Sequence, residues 1–156
     1  MWAAVNQEEI ESLYGRFRIL DRGRKGYLTG EELLNIPELS INPLNKRLAY
    51  FCDGINFKEF VRILYPYSPK ASREDKMKHL FAMWDVNGDG FVCKEDVELV
   101  MRQAGGSQFS EDELRVVVDK VMSECGAEEH GLSFQEFCQA LEDAPVDLYV
   151  EIPLVD

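Results

Sequence analysis

The stretch "DVNGDGFVCKED", residues 85–96, carries the most specific structural pattern in this chain. Its first half places an oxygen-bearing side chain at every other position, in Asp85, Asn87 and Asp89. Gly90 follows in sixth place, and a glycine there allows the backbone to turn sharply. Side-chain oxygens at alternate positions around a tight turn are the ligands that a hard divalent cation prefers. The stretch therefore predicts a metal-binding loop.

The spacing matches the EF-hand loop, whose ligands come from positions 1, 3, 5, 7, 9 and 12. Phe91 at position 7 offers its backbone carbonyl, whereas Cys93 at position 9 offers a soft thiol, so we expect water there. Asp96 stands at position 12, where a longer glutamate normally binds through both oxygens. If Asp96 binds through one oxygen, the remaining coordination suits Mg2+ and is tolerated by Ca2+. The predicted ligands of this Ca2+ site, which can also take Mg2+, are Asp85, Asn87, Asp89, Phe91 and Asp96.

Helical periodicity flanks this loop and recurs along the chain, which indicates repeated helix–loop–helix units. Four units can be aligned, and each carries an apolar residue at loop position 8 and an acid four residues later. Ser110 and Ser133 each precede a glutamate by three residues, which is the spacing of a helix-starting capping box. The apolar position-8 residues predict a short β-pair between two loops. They are Leu28, Ile55, Val92 and Leu132, and the acids are Glu32, Glu59, Asp96 and Glu136.

The proline-rich segment "YPYSPK", residues 65–70, lies between the second and third units and predicts a joint. The predicted fold class is all-α, with four EF-hand units in two lobes. We assign residues 1–66 to an N-terminal lobe with two degenerate hands. Residues 67–144 form a C-terminal lobe whose third hand binds metal and whose fourth is degenerate, and residues 145–156 form a tail.

The first loop, "DRGRKGYLTGEE" at 21–32, lacks ligands for a cation. Gly23 and Lys25 occupy positions 3 and 5, where oxygen ligands are needed. We expect Lys25 or an arginine to satisfy Asp21 and Glu32 internally instead.

The second and fourth loops are also predicted to lack metal. Only Asp53 and Gly54 connect the two helical patterns of the second unit, and so short a connection cannot wrap a cation. The fourth loop, "CGAEEHGLSFQE" at 125–136, has Cys and Ala at positions 1 and 3, and His130 stands where glycine belongs. One divalent site per chain is therefore expected.

Composition excludes several function classes. The net charge of −12 argues against nucleic acid as a partner, because phosphate contacts need clustered Lys and Arg. The apolar runs are too short to predict a membrane span. The four widely spaced cysteines favour free thiols in a reducing compartment, and a cytoplasmic protein is expected, at a membrane only through its partner.

Catalytic motifs are missing from the sequence. His79 and His130 are the only histidines, and neither lies beside a nucleophile motif. The sequence also has no nucleophile elbow and no phosphate-binding glycine loop. An enzyme is therefore not expected.

Three further stretches carry a family resemblance: "LDRGRKGYLTGEELLNIPELSINPL" at 20–44, "VDKVMSE" and "LSFQEFCQALE". They resemble the group that comprises calcineurin B, calcineurin B homologous proteins and calcium- and integrin-binding proteins, over nearly the whole chain. The resemblance implies a Ca2+-binding regulatory or scaffolding subunit that holds an amphipathic helix of a larger protein in a hydrophobic groove. The partners it implies are a phosphatase catalytic subunit, a sodium/proton exchanger tail or an integrin-like tail. The family generally keeps metal-competent third and fourth hands, whereas this chain keeps only the third.

A helix-binding groove requires apolar side chains that the protein's own core leaves accessible. The alternative is that each of these side chains simply belongs to the core. A second alternative for function is a myosin-type light chain that holds a long helix independently of calcium. The candidate lining residues are Phe60, Leu64, Met77, Leu80, Phe81, Trp84, Val97, Val100 and Met101.

The C-terminal segment "PVDLYVEIPLVD", residues 145–156, alternates apolar and other residues after Pro145. Pro145 stops helical propagation, and a period of two suits an extended segment with one buried face. We expect this tail to cover the groove when no partner is bound. A frayed terminus is the alternative.

Overall fold

The computed structural model describes residues 6–36, 39, 53–105, 109–127 and 129–146, and most of them are helical. The described helices are α1 (Gln7–Leu20), α2 (Gly30–Leu33), α3 (Phe57–Leu64), α4 (Arg73–Trp84), α5 (Lys94–Gly105), α6 (Glu111–Glu124) and α7 (Phe134–Ala140). The described strands are β1 (Tyr27–Leu28), β2 (Ile55–Asn56), β3 (Phe91–Val92) and β4 (Leu132–Ser133). A 3-10 turn at Tyr65–Tyr67 follows α3 directly, within the segment predicted to be a joint.

Capping boxes begin five of these helices, because a polar side chain and a glutamate three residues later satisfy each other's backbone N–H groups. The boxes predicted at Ser110 and Ser133 are confirmed. In α2, α3 and α7 the glutamate of the box occupies loop position 12. The position-12 acid therefore stabilises a helix start even where no cation is expected. These three glutamates are Glu32, Glu59 and Glu136.

The first compact unit contains the described residues up to Ser72. Strands β1 and β2 pair antiparallel with Leu28 opposite Ile55, which confirms the predicted pairing of the position-8 residues. Within this unit, the Phe17 and Phe60 rings meet edge-to-face with centroids 5.4 Å apart. Both rings are buried, so helices α1 and α3 share one core.

The second compact unit runs from Arg73 to Val146. Strands β3 and β4 pair antiparallel with Val92 opposite Leu132, again as predicted. The Arg73 guanidinium closes this unit, since it donates to the carbonyl oxygens of Leu141 at 2.6 Å, Glu142 at 2.9 Å and Ala144 at 3.2 Å. Those carbonyls lie beyond the last residue of α7. The Arg73 side chain, at the start of α4, therefore supplies hydrogen-bond donors to backbone carbonyls just after the end of that helix.

Two sequence predictions fall outside the described residues. They are the helical pattern that precedes the second loop, residues 45–52, and residues 147–156 of the predicted tail. Val146, the last described residue, packs against the core of the second unit. Among the described helices, none is both long enough and apolar enough to cross a membrane.

Candidate metal centre

The third loop begins at Asp85, directly after α4 ends. Its carboxylate is buried and organises the loop backbone. Oδ1 accepts from the N–H of Gly88 at 2.7 Å and of Asp89 at 3.2 Å, and Oδ2 accepts from the N–H of Gly90 at 3.0 Å. The first predicted ligand therefore sits inside the turn that the glycines allow.

The ligands predicted at positions 3 and 5 are linked to each other. Asn87 Oδ1 accepts from Asp89 N at 3.0 Å, and Asn87 Nδ2 donates to Asp89 Oδ2 at 2.8 Å. Asp89 Oδ1 accepts from Phe91 N at 2.9 Å, where the chain enters β3. Both side chains are exposed, unlike that of Asp85. The polar groups at positions 1, 3 and 5 thus belong to one hydrogen-bonded network around the loop.

Asp96 closes the loop by hydrogen bonds to protein donors. Its Oδ1 accepts from Val86 N at 3.1 Å, and its Oδ2 accepts from Cys93 N and from Cys93 Sγ, both at 2.9 Å. The residue is only 4% exposed. The short position-12 side chain therefore bridges loop positions 2 and 9.

Cys93 is a poor ligand for a cation at neutral pH. Burial, together with the hydrogen bond to Asp96, raises the pKa of its thiol to about 11. The thiol therefore stays protonated, and only the thiolate is an effective ligand. This agrees with the expectation that position 9 contributes no side-chain ligand.

The donor types of the third loop fit a hard cation, since every predicted side-chain ligand offers oxygen. Among the described residues, however, no three His, Cys, Asp or Glu side chains are gathered as in a formed metal site. The hydrogen bonds of Asp96 are consistent with this, because both of its oxygens are turned to protein donors. Binding through Asp96 therefore requires that at least one of those hydrogen bonds be exchanged for the cation.

The first loop carries a lysine ammonium group where the third loop is expected to hold metal. Lys25 Nζ, on loop position 5, lies 3.0 Å and 2.8 Å from the two carboxylate oxygens of Glu32 at position 12. Of the side chains expected to satisfy Asp21 and Glu32, Lys25 rather than an arginine pairs with Glu32. Asp21 is satisfied differently, because its oxygens accept from the backbone N–H groups of Lys25 and Gly26. This loop is closed by an internal cation.

Replacing Lys25 with methionine is expected to reduce the pH dependence of the first unit's stability. The hydrogen bond with Lys25 lowers the pKa of Glu32, and the same bond raises the pKa of Lys25. The pair therefore stabilises the fold between the unfolded pKa values of about 4.3 and 10.4. Stability is lost as pH falls through the lowered pKa of Glu32 or rises through the raised pKa of Lys25.

Thermal unfolding followed by circular dichroism from pH 3 to 11 checks this. At pH 7 the variant should unfold at a lower temperature than the wild type, and the two should converge in strong acid and strong alkali. Lys120→Met is the control, because its contact with Glu124 spans 3.9 Å between exposed side chains. Equal pH profiles for Lys25→Met and the wild type would show that the pair contributes nothing.

The structure divides the candidate groove residues into two classes. Phe60 and Leu64 are buried in the first unit, and Met77, Val97 and Val100 are buried in the second. The other four are half-buried and pack against the core of the second unit: Leu80, Phe81, Trp84 and Met101. The half-buried residues are the ones with side-chain surface left for a partner.

Sequence reasoning missed the exposed apolar side chains on α5 and α6. Val116 is 68% exposed, and Leu99, Val117 and Val121 are about two-fifths exposed. The sequence holds a signal, because three consecutive valines at 116–118 are more than one helix face can bury. Periodicity alone does not separate the outward valines from the inward ones.

Comparison with known proteins places this geometry in a family. A model of the EF-hand domain pair matches residues 74–142, which include the third and fourth loops. The type 2 calcineurin B protein of Dictyostelium discoideum is 34% identical over 142 residues, which cover 87% of this chain and 78% of that protein. The calcineurin B protein of Naegleria gruberi is 32% identical over 95% of this chain and 87% of its own. That of Schizosaccharomyces pombe is 32% identical over 86% and 81% respectively. The chain belongs to the calcineurin B family of EF-hand proteins.

Proposed function

We propose that this chain is a calcium-binding regulatory subunit that holds an amphipathic helix of a larger protein in a hydrophobic groove. The observation that carries the proposal is the network of the third loop, in which Asp85, Asn87 and Asp89 are held at positions 1, 3 and 5. Its relatives are named as subunits of calcineurin, so by name they belong to an assembly. The role is binding rather than catalysis, and the expected setting is the cytoplasm.

The proposed architecture is two lobes of two EF-hand units each. Two paired-strand connections support it, since β1–β2 and β3–β4 each join two loops. The first two hands serve as structure, because Lys25 and the backbone satisfy the acids of the first loop. The third hand holds one divalent ion, Ca2+ or Mg2+, through Asp85, Asn87, Asp89, Phe91 and Asp96. A bound cation would add charge-neutralising cross-links between α4 and α5.

A phosphatase catalytic subunit is the partner we favour, on the strength of the relatives' names. A sodium/proton exchanger tail or an integrin-like tail offers the same chemistry, an amphipathic helix. Val117 and Val121 support such a contact, since they lie one turn apart on α6 and both keep part of their apolar surface exposed.

The test is complex formation with the calcineurin catalytic subunit of Dictyostelium discoideum, measured by size-exclusion chromatography with light scattering. A one-to-one complex in Ca2+ that weakens in chelator is expected for a calcium-responsive subunit. An equally stable complex in chelator would favour the light-chain alternative, which holds its helix without calcium. Absence of a complex in both conditions would contradict this partner.

Replacing Asp96 with glutamate should tighten calcium binding by roughly tenfold, or about 1.4 kcal/mol. The extra methylene lets both oxygens reach the ion, whereas Mg2+ gains little because it prefers six ligands. Calorimetric titration with each ion checks the affinity and the discrimination. Equal calcium affinity in both proteins would show that the length of the twelfth side chain does not limit the site.

A further inference from the structure

A basic pocket lies where the C-terminal end of α1 meets the first loop. The concavity has a volume of about 630 Å³. Three exposed arginines line it together with Tyr14, Ile19 and Asp21; they are Arg18, Arg22 and Arg24. Within the described part of the chain, none of these three forms an ion pair. Their guanidinium groups therefore keep their hydrogen-bonding capacity for a ligand.

The positive charge of this pocket contrasts with the rest of the molecule. The chain carries a net charge of −12, yet residues 16–25 hold five of its 17 basic residues and a single acid. That acid, Asp21, is 5% exposed, and its oxygens accept from the N–H groups of Lys25 at 2.9 Å and Gly26 at 2.7 Å. The backbone amides thus offset its charge, and the lining of the pocket stays cationic.

The conformation of Arg24 adds an independent observation. Its φ of +50° lies in the left-handed region, which a side chain with a Cβ adopts at a cost. Arg24 occupies loop position 4, and the same position of the third loop holds Gly88 with φ of +73°. A glycine would satisfy this backbone without strain. The loop geometry accounts for this φ, since position 4 of the third loop shares it, but not for an arginine in place of glycine.

We propose that this pocket binds a phosphate monoester carried on a segment of a protein partner. Arginine forks match phosphate oxygens in pairs, which lysine cannot do. The 49% exposed ring of Tyr14 and the 65% exposed side chain of Ile19 offer apolar contact to the residues beside the phosphate. An extended anionic membrane surface is a poorer occupant than a single phosphate group, because it would also face the acidic remainder of a chain of charge −12.

The helix dipole alone does not account for the cluster. Arg18 lies in the last turn of α1, where a cation complements the carbonyl end of the helix. Arg22 and Arg24 lie beyond that turn, in the loop, so their presence has no such explanation. The lining residues of the pocket belong to the first unit and include none of the third loop, so we expect binding there without a metal ion at the third loop.

The probe is the blocked tripeptide Gly-phosphoserine-Gly, titrated into the 15N-labelled full chain and followed by backbone amide shifts. We expect saturable shifts confined to residues 14–26, and tighter binding than that of inorganic phosphate or Gly-Ser-Gly. Arg24→Gly is the decisive variant, because it relieves the strained φ while removing the guanidinium. It should raise the unfolding temperature and weaken binding at least fivefold, and Arg22→Gln should weaken binding similarly.

The matched control is Arg115→Gln, which removes an exposed arginine from α6 and should bind the peptide as the wild type does. Equal loss in Arg115→Gln, or shifts that never saturate, would show a nonspecific charge effect and overturn the proposal. Inorganic phosphate binding as tightly as the peptide would overturn a peptide occupant. Arginine-dependent binding to vesicles of phosphatidylcholine and phosphatidylserine, without binding to the phosphopeptide, would assign the pocket to a membrane instead. The metal-site variant Asp89→Ala should bind the peptide unchanged, which keeps this result distinguishable from a failure of the proposed function.

Discussion

Replacing Gly131 with alanine is expected to destabilise the second unit by about 2–4 kcal/mol, which is exceptional for the addition of one methyl group. Gly131 has a φ of +97°, a conformation in which any Cβ is strained. A Cβ added there would lie 2.5 Å from the backbone oxygen of Val92 and 2.8 Å from Cys93 Cα. Both are backbone atoms of the neighbouring loop, so neither can move aside as a side chain would.

The damage should extend to the third loop. Val92 pairs with Leu132, and Cys93 donates its N–H to Asp96, the predicted twelfth ligand. Displacing this backbone therefore disturbs a candidate metal ligand, Asp96, through its hydrogen bond to Cys93. We expect weaker calcium binding by Gly131→Ala even under conditions where the protein stays folded.

Urea unfolding followed by circular dichroism measures the loss, and Gly126→Ala is the matched control. Gly126 also has a positive φ, of +68°, but a Cβ there meets nothing within 4 Å. Its substitution should cost only the conformational strain, about 1–2 kcal/mol. Equal losses at the two positions would show that the close approach of the two loops contributes nothing.

Features set by spacing along the chain were predictable from the sequence. The pairing of Leu28 with Ile55 and of Val92 with Leu132 follows from the shared loop position 8. The capping box at Ser110 follows from a glutamate three residues later. The capping box is a local rule, because its partners lie within one helical turn, whereas the strand pairing follows from the register that the repeated loops share.

Features set by tertiary packing were harder to predict from the sequence. Val117 belongs to the same apolar stripe as Leu114 and Val118, yet it is 37% exposed while they are buried. Periodicity identifies a helical face but not its width, which depends on how closely neighbouring helices approach. Gly131 in the fourth loop illustrates the same limit. His130 occupies the position where a glycine is usual, and the positive φ falls at Gly131 instead.

The partners of the loop carboxylates could be predicted only in part. A lysine at loop position 5 and a glutamate at position 12 suggested the ion pair of the first loop, and it forms. The sequence did not indicate that backbone N–H groups would satisfy Asp21, or that Asp96 would bridge Val86 and Cys93. Such choices depend on backbone direction within the loop, which residue type does not specify.

Replacing Asp89 with alanine is expected to abolish calcium binding to the third loop while leaving the fold intact. If one charged ligand contributes about 3 kcal/mol to the binding free energy, its removal lowers the calcium affinity roughly a hundredfold. Asp89 is a better target than Asp85, because the Asp85 carboxylate is buried and holds the N–H groups of Gly88 and Gly90. Truncation of Asp85 would confound a lost ligand with an unfolded loop.

The side chain of Asp89 is exposed and accepts one backbone hydrogen bond, from Phe91 N at 2.9 Å. Asp89→Asn preserves that acceptor and an oxygen ligand but removes the charge, so it should lose only about tenfold in affinity.

Calorimetric titration should find one site in the wild type and no heat in Asp89→Ala. Unfolding temperatures in chelator should be nearly equal for all three proteins. Two tight sites in the wild type would contradict the single-site proposal. Calcium binding with undiminished affinity in Asp89→Ala would place the ion elsewhere in the chain, because a site at the third loop should weaken when the charge at position 5 is removed.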